Sequence, residues 1–424
     1  MTPSSFVLWL TTAHAADVEG FAELRAQYST GVDGTPYVFV ERFRPTFDAD
    51  LGDRLALSVT VEAALNQGRR TQEELQRTLE ESDLGPLLDA AECTWPTEDN
   101  ELLGISEADD YLWVDRLYFD AYLPGVDLRV GRQALNWGSA FMVNPTDPFP
   151  QVLLLEPWRP RAGVNAVRAS VPIGDAHRIQ LVAGADDDFQ APRLATRGTV
   201  NLLETDWSVI GAWRPEADDG IVGMDIRGTL GVGFWAEGAW HLRETNPYGE
   251  LAVGADYSFP VLDSLIVTAQ YYRNGRDFDA TSTGTLTSAV EPPDCAADTS
   301  ALFGDDSAEP DPFAPFFTGE QYVMASAGLG ISPLVSASGL FVQNLDDGTG
   351  LVFPTVAFAP TGWLEVSAAA QVPVRTWGDG GELSPKDSDL VLRQETIPGQ
   401  DPLVVDFTGL VPDTTFIVWT RASF

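Results

Sequence analysis

The sequence predicts an all-β fold: a transmembrane antiparallel β-barrel of about eighteen strands, with one loop folding inward. Three observations carry that expectation. Along the 424-residue chain, segments of roughly nine to eleven residues alternate apolar and polar side chains with the period of two that strands show. The connections between these segments alternate short and long. The chain ends on TTFIVWTRASF, an apolar strand running to the last residue, where a soluble chain usually frays into polar residues.

In chain order, strands are expected near 20–28, 37–46, 54–64, 111–122, 127–134, 164–173, 177–186, 192–202, 206–214, 220–229, 233–243, 248–258, 264–274, 320–330, 335–344, 351–359, 364–374 and 415–424. The clearest are DRLALSVTVEAAL, NAVRASVPIG, HRIQLVAGAD, MDIRGTLG, ELAVGADYSF, SLIVTAQYYRN and WLEVSAAAQVPV. Segments 192–202 and 351–359 alternate most weakly, so sixteen strands stays open. Strand 264–274 puts Leu265, Val267, Ala269 and Tyr271 on one face and Thr268, Gln270, Tyr272 and Asn274 on the other. Strand 233–243 puts Phe234, Ala236, Gly238, Trp240 and Leu242 against Glu237, His241 and Arg243. A closed barrel would turn the first face to lipid and the second to a watery lumen, leaving no unpaired edge. A soluble sandwich would alternate in the same way, so alternation alone does not choose.

The connections do choose. ADLGDR, PGV, GDA, ETD, GVG, PVLDS, SPLV and PTG fall at every second connection, and the long segments 65–110, 135–163, 275–319 and 375–414 all fall in the other set. Transmembrane barrels keep short turns on one side and long loops on the other. The division of 192–214 into two strands around LLETDW uses this parity. In the last strand Phe416, Val418, Thr420, Ala422 and Phe424 share one face, and a lipid environment keeps such an end ordered.

Composition agrees. The 38 glycines, 12 tryptophans and 22 phenylalanines suit a sheet protein with tight turns and interfacial aromatics. No run reaches the roughly 18 apolar residues of a membrane-spanning helix. There are 63 acidic residues against 25 basic ones, a net charge of −38, and Lys386 is the only lysine. The acids crowd connections such as TQEELQRTLEESDL and EADD, while the arginines sit largely inside strands. That surface repels phosphate and excludes nucleic acid as a partner. Segment 71–83 reads as a short surface helix within a loop.

The opening MTPSSFVLWLTTAHAADVEG holds a short apolar stretch and the small-residue site Ala13-His14-Ala15. Residues 1–15 therefore read as a secretory signal and 16–424 as one barrel domain. No Lys or Arg precedes the apolar stretch, so a whole and a truncated leader both stay open. Cys93 and Cys295 lie in acidic loops, where a disulfide and two free thiols are equally open.

Period two assigns Arg25, Arg42, Arg44, Arg116, Arg129, Arg168, Arg178, Arg197, Arg227, Arg243 and Arg421 to the lumen. The inward acids are Glu23, Glu62, Asp120, Asp225, Glu237, Glu250, Asp256 and Glu365. The interior is thus more basic than the whole chain. Paired, these residues form a ladder that neutralises the interior. Unpaired, their planar forks favour anions such as an acidic sugar. Arg129, Arg168, Arg197, Arg227, Glu237 and Arg243 are the expected pore-lining residues. An acidic mouth repels anions unless divalent cations bridge its carboxylates to lipopolysaccharide. The only histidines are His14, His177 and His241. His241 near Glu237 is the one arrangement resembling a hydrolytic pair, and no serine motif accompanies it. No zinc spacing, phosphate-cradling loop or dinucleotide fingerprint appears, so neither enzyme activity nor a metal or cofactor is expected.

Taken together, the terminal aromatic strand, the signal site and the parity resemble Gram-negative outer-membrane β-barrels. That resemblance implies an outer-membrane location, membrane lipid and lipopolysaccharide as neighbours, and recognition of Phe424 by the barrel-assembly machinery. A narrower resemblance joins LRVGRQALNWGSAFMVNPTDPF (128–149) to PRAGVNAVRASVPIG (160–174). It is similar to the strand, inward loop and next strand of alginate-export-type porins and related large barrels. The matching positions are Gly131, Arg132, Gln133, Trp137, Gly138, Asn144, Pro145, Asp147, Pro160, Gly163 and Ala166. Gly138 permits a sharp turn, NPTDPF is dense in turn chemistry, and the apolar VLLLEPW at 152–158 should avoid water. Segment 136–163 is accordingly expected to fold inward as a constriction loop carrying Trp137, Gly138, Asn144 and Asp147, the other reading being an external cap. The expected function is a channel for small polar or anionic solutes. The rival is a non-transporting barrel for surface-polysaccharide binding or envelope assembly.

Overall fold

The computed structural model describes residues 15–30, 37–69, 110–149, 161–174, 176–185, 192–215, 219–243, 247–275, 319–378, 383–384, 390–392, 403–405 and 413–424. Alternating segments become strands throughout these residues. They are β1 (Ala15–Thr30), β2 (Tyr37–Asp50), β3 (Leu55–Arg69), β4 (Tyr111–Leu123), β5 (Val126–Gln133), β6 (Val164–Ile173), β7 (His177–Ala185), β8 (Arg193–Leu202), β9 (Thr205–Arg214) and β10 (Asp219–Thr229). There follow β11 (Gly233–Leu242), β12 (Tyr248–Phe259), β13 (Ser264–Asn274), β14 (Gln321–Ser332), β15 (Val335–Asn344), β16 (Thr349–Thr361) and β17 (Leu364–Arg375). A two-stranded ribbon of β18 (Leu390–Leu392) and β19 (Leu403–Val405) forms a separate sheet, and β20 (Thr414–Ser423) is the last strand.

Each of β1 to β16 pairs antiparallel with the next, β17 pairs with β20, and β20 pairs with β1, so one 18-stranded sheet closes on itself. Closure leaves no edge with unpaired N–H and C=O groups, which hydrocarbon would not tolerate. The two weakly alternating segments both form strands, β8 and β16, and eighteen rather than sixteen is the count. The ribbon β18–β19 was not expected from the sequence. The signal residues 1–14, the segment 71–83, Cys93 and Cys295 lie outside the described residues.

Register confirms the two faces. Glu23 stands opposite Arg42 on one side and Arg421 on the other, and all three point inward. Outward positions carry half-exposed apolar side chains, among them Leu24, Phe39, Phe43, Leu181, Val209, Trp240, Val253, Val356, Phe416 and Val418. An apolar surface that encircles a closed sheet is a lipid-facing belt. The end that carries Ala15 and Phe424 has only connections of two to four residues, and every connection longer than that lies at the other end. Closure is finished by the last residue: Phe424 and Gly20 exchange N–H···O bonds of 3.0 Å, and the Phe424 ring stacks on Phe43 with centroids 5.7 Å apart.

Candidate functional site: a strap anchored across the lumen

After β5 the chain turns inside the barrel. Gly138 has φ +81, and a Cβ there would lie 2.8 Å from a Glu237 carboxylate oxygen and 2.9 Å from Asn144 Oδ1. Only glycine lets the backbone run against that carboxylate. Beside it Trp137, 2% exposed, meets Phe149 edge-on with ring centroids 5.1 Å apart. These rings pack with Leu135 against Val164, Ala166, Val182, Ala195 and Ile210, the inward faces of β6 to β9.

Residues 139–146 then cross to the other wall. Glu237 on β11 accepts hydrogen bonds from the Ser139 N–H, the Ala140 N–H at 2.5 Å, and the Thr146 N–H and Oγ1 at 3.3 and 2.8 Å. Asp225 on β10 accepts from Ser139 Oγ and from Arg197 at 2.8 Å. Gln270 on β13 accepts the Phe141 N–H at 2.7 Å and donates to the Val143 carbonyl at 3.2 Å. Val143 is buried among Ala252, Tyr272, Tyr322, Met324 and Val342 of β12 to β15. The return is held by Asp147, which pairs with Arg161 at 2.6 Å while Arg161 donates to the Leu135 carbonyl at 2.7 Å. Burial pushes the Asp147 carboxyl up to about 7, with the Arg161 charge pulling the other way. Segment 134–149 is therefore a strap inside the barrel, tied at both walls.

The remaining lumen is chemically lopsided. A ladder of ion pairs climbs from Arg421 through Glu23, Arg42, Glu62, Arg44 and Asp115 to Arg116, crossing β20, β1, β2, β3 and β4. Arg129 is held by Asp120 at 2.6 and 2.8 Å and lies 4.0 Å above the Tyr118 ring. By contrast, Arg168, Arg178 and Arg227 face inward with no ion pair or hydrogen bond among the described residues, Asp206 opposite Arg227 being taken by Asn201 at 2.7 Å. Across from Arg168 and Arg178, the inward positions of β13 to β16 carry no charge, only residues such as Thr268, Ser326, Ser338, Leu340 and Thr355.

Arg129, Arg168, Arg197, Arg227 and Glu237 occupy the inward register of their strands, and Arg243 follows the end of β11. Arg243 sits over the Tyr248 ring at 5.6 Å. Glu237 is 1% exposed because the strap covers it, so it anchors rather than meets solvent. His241 does not pair with Glu237 but with Glu250, at 2.8 Å, and stacks on Tyr248. The expectation missed Asp115, which shares a strand bulge with Arg116 so that both are buried. Period two hides any such bulge. It also missed Ser139, Thr146, Arg161 and Gln270, whose partners lie far away in sequence.

No protein-family model matches the chain, and no curated protein matches it in sequence. Solved structures do match its shape. OccK3 from Pseudomonas aeruginosa superposes with a TM-score of 0.53 at 11% identity, covering 99% of this chain and 98% of that one. The outer-membrane protein OprD, also from P. aeruginosa, gives 0.52 at 10% identity over 97% and 95%. The chain has the porin-like outer-membrane barrel fold. A third similar structure is Wzi of Escherichia coli, an outer-membrane protein involved in group 1 capsule assembly and a carbohydrate-binding β-barrel. It matches with a TM-score of 0.53 at 10% identity, over 99% of this chain and 87% of Wzi. At these identities the likeness carries the architecture and its membrane setting; the site rests on this chain's own residues.

Proposed function

We propose that this barrel is an outer-membrane channel for small polar solutes, anions favoured, whose lumen is narrowed by the 134–149 strap. The observation that supports this reading is the lopsided interior: Arg168 and Arg178, which make no ion pair among the described residues, stand across from a wall whose inward positions carry no charge. Fixed positive charge with free hydrogen-bond donors attracts anions into a narrow pore. Arg129 and Arg197 border the same passage with their charges already matched by Asp120 and Asp225. Trp137, Gly138, Asn144 and Asp147 shape the constriction, Phe424 is the mark read by the assembly machinery, and lipopolysaccharide is the outer-leaflet neighbour. Catalysis has no place in this reading, since His241 is sealed in the wall by Glu250 and Tyr248.

Planar-bilayer recording under a salt gradient tests it. The wild type conducts, and Arg168→Ala with Arg178→Ala moves the reversal potential toward cation selectivity. A second reading, a non-transporting carbohydrate-binding barrel, draws on the tightness of the strap's burial and on the likeness to Wzi. A correctly inserted wild type that never conducts but retains polysaccharide would put that reading first.

A further inference from the structure

Eight short connections close the end of the barrel that carries Ala15 and Phe424: 51–54, 124–125, 174–176, 203–204, 230–232, 260–263, 333–334 and 362–363. Five of them, consecutive around the rim from β8–β9 to β16–β17, present a large apolar side chain to the outside. These are Leu203 at 97% exposure, Leu230 at 81%, Leu262 at 66%, Leu334 at 49% and Trp363 at 57%. The other three differ. Residues 124–125 are Pro-Gly, 174–176 are Gly-Asp-Ala, and 51–54 expose Gly52, Asp53 and Arg54 beside Asp17 and Asp50.

Two of the four leucines occupy backbone that disfavours them. Leu203 has φ 54, followed by Glu204 at φ 60, and Leu262 has φ 52. Turn positions in this left-handed region ordinarily take Asn or Gly, because a Cβ there crowds the following carbonyl oxygen. An exposed leucine in a left-handed turn has no partner in the barrel to account for it. We infer that the arc from β8–β9 to β16–β17 is a lipid-interface surface, immersed in the headgroup–acyl boundary of the leaflet at the short-turn end, while turn 51–54 stays in water. The barrel accordingly sits inclined, deeper on the arc side.

Lipid fits this surface better than a protein does. Neighbouring tips are two strands apart, about 10 Å of sheet, so the leucines are separate points rather than one continuous patch. A fluid boundary accepts separate points; a protein interface needs a contiguous core. The arc is also continuous with the lipid belt. Immediately above the tips, the outward residues are Trp207, Tyr257, Phe259, Ile331 and Phe358, all exposed. Aromatic side chains of this kind settle at the membrane–water boundary.

The test uses the full-length chain with Cys93→Ser and Cys295→Ser, reconstituted in phosphatidylethanolamine–phosphatidylglycerol vesicles. Single nitroxide labels are attached after Leu203→Cys, Leu262→Cys or Asp53→Cys, with heat-modifiable gel migration verifying the barrel. The labels at 203 and 262 should collide several-fold more with oxygen, relative to an aqueous nickel chelate, than the label at 53. Equal ratios at all three positions would put the arc in water and overturn the inference. Labels at 203 and 262 shielded from both reagents would also overturn it, because a second protein copy would then cover the tips.

Discussion

Replacing Glu237 with glutamine should loosen the strap without removing it. The carboxylate receives four hydrogen bonds, two at each oxygen, from Ser139, Ala140 and Thr146. Glutamine keeps one carbonyl oxygen for Ser139 and Ala140 but turns an N–H₂ donor toward Thr146, so the Thr146 N–H loses its acceptor and the hydroxyl must reverse to accept, both charge-assisted bonds being lost. Hydrogen bonds to a charged group contribute about 1.5–3 kcal/mol each, so two lost amount to roughly 3–6 kcal/mol. Lumen water recovers part of that, leaving roughly 2–4 kcal/mol. At about 1.4 kcal/mol per factor of ten, the detached strap becomes about 30- to 1,000-fold more populated. Hydrogen exchange reads this directly, as lost protection of the Ser139, Ala140 and Thr146 amides. Single-channel recording reads its consequence, as more frequent visits to a higher-conductance level. Unchanged amide protection would refute the anchorage. Lost protection with an unchanged conductance trace would leave the anchorage standing and remove the strap from the solute path.

Other outcomes follow from the same geometry. Ala269→Arg, on the lipid face of β13, should destabilise the barrel by about 2–4 kcal/mol in a folding titration into lipid, whereas Ser338→Arg, facing the lumen, should be nearly neutral; equal costs would show the faces are exchanged. Deleting Phe424 removes its paired bonds with Gly20 and the stack on Phe43. Outer-membrane levels of that variant should fall, and normal levels would dissociate the terminus from assembly. Exchanging residues 140–149 for a Gly/Ser linker should raise single-channel conductance; an unchanged value would mean the strap does not narrow the pore.

The strands were legible because each carries its own evidence: a period of two within it and a turn at its end. Even β16, whose alternation is weak over 351–359, gains support from PTG at the expected parity, and the strand runs from Thr349 to Thr361. The site was legible only as a direction. That Arg168 and Glu237 point inward follows from their neighbours in sequence. That Glu237 lies under the strap while Arg168 is open does not, because the deciding partners, Ser139 and Thr146, are 98 and 91 residues away. Gly138 gave the one local hint, since a glycine beside a buried tryptophan signals a close backbone approach. The bulge at Asp115 and Arg116 left no mark on the alternation at all.

The seam between the first and last strands has a consequence for how the barrel selects its own register. Arg421 on β20 stands opposite Glu23 on β1 and Glu365 on β17. Sliding β20 by one residue would turn Arg421 into lipid and bring Phe416 and Val418 inward. Sliding it by two would restore the faces but in one direction set Arg421 against Arg25, and in the other against Phe21. Every near-miss therefore carries either a charge in hydrocarbon, a like-charge contact or a carboxylate without its arginine. The pairing that joins residues 398 positions apart is the last to be reached by a chain closing on itself. It is also the one in which a mistake is least tolerated, so this arginine acts as a proofreading device for closure.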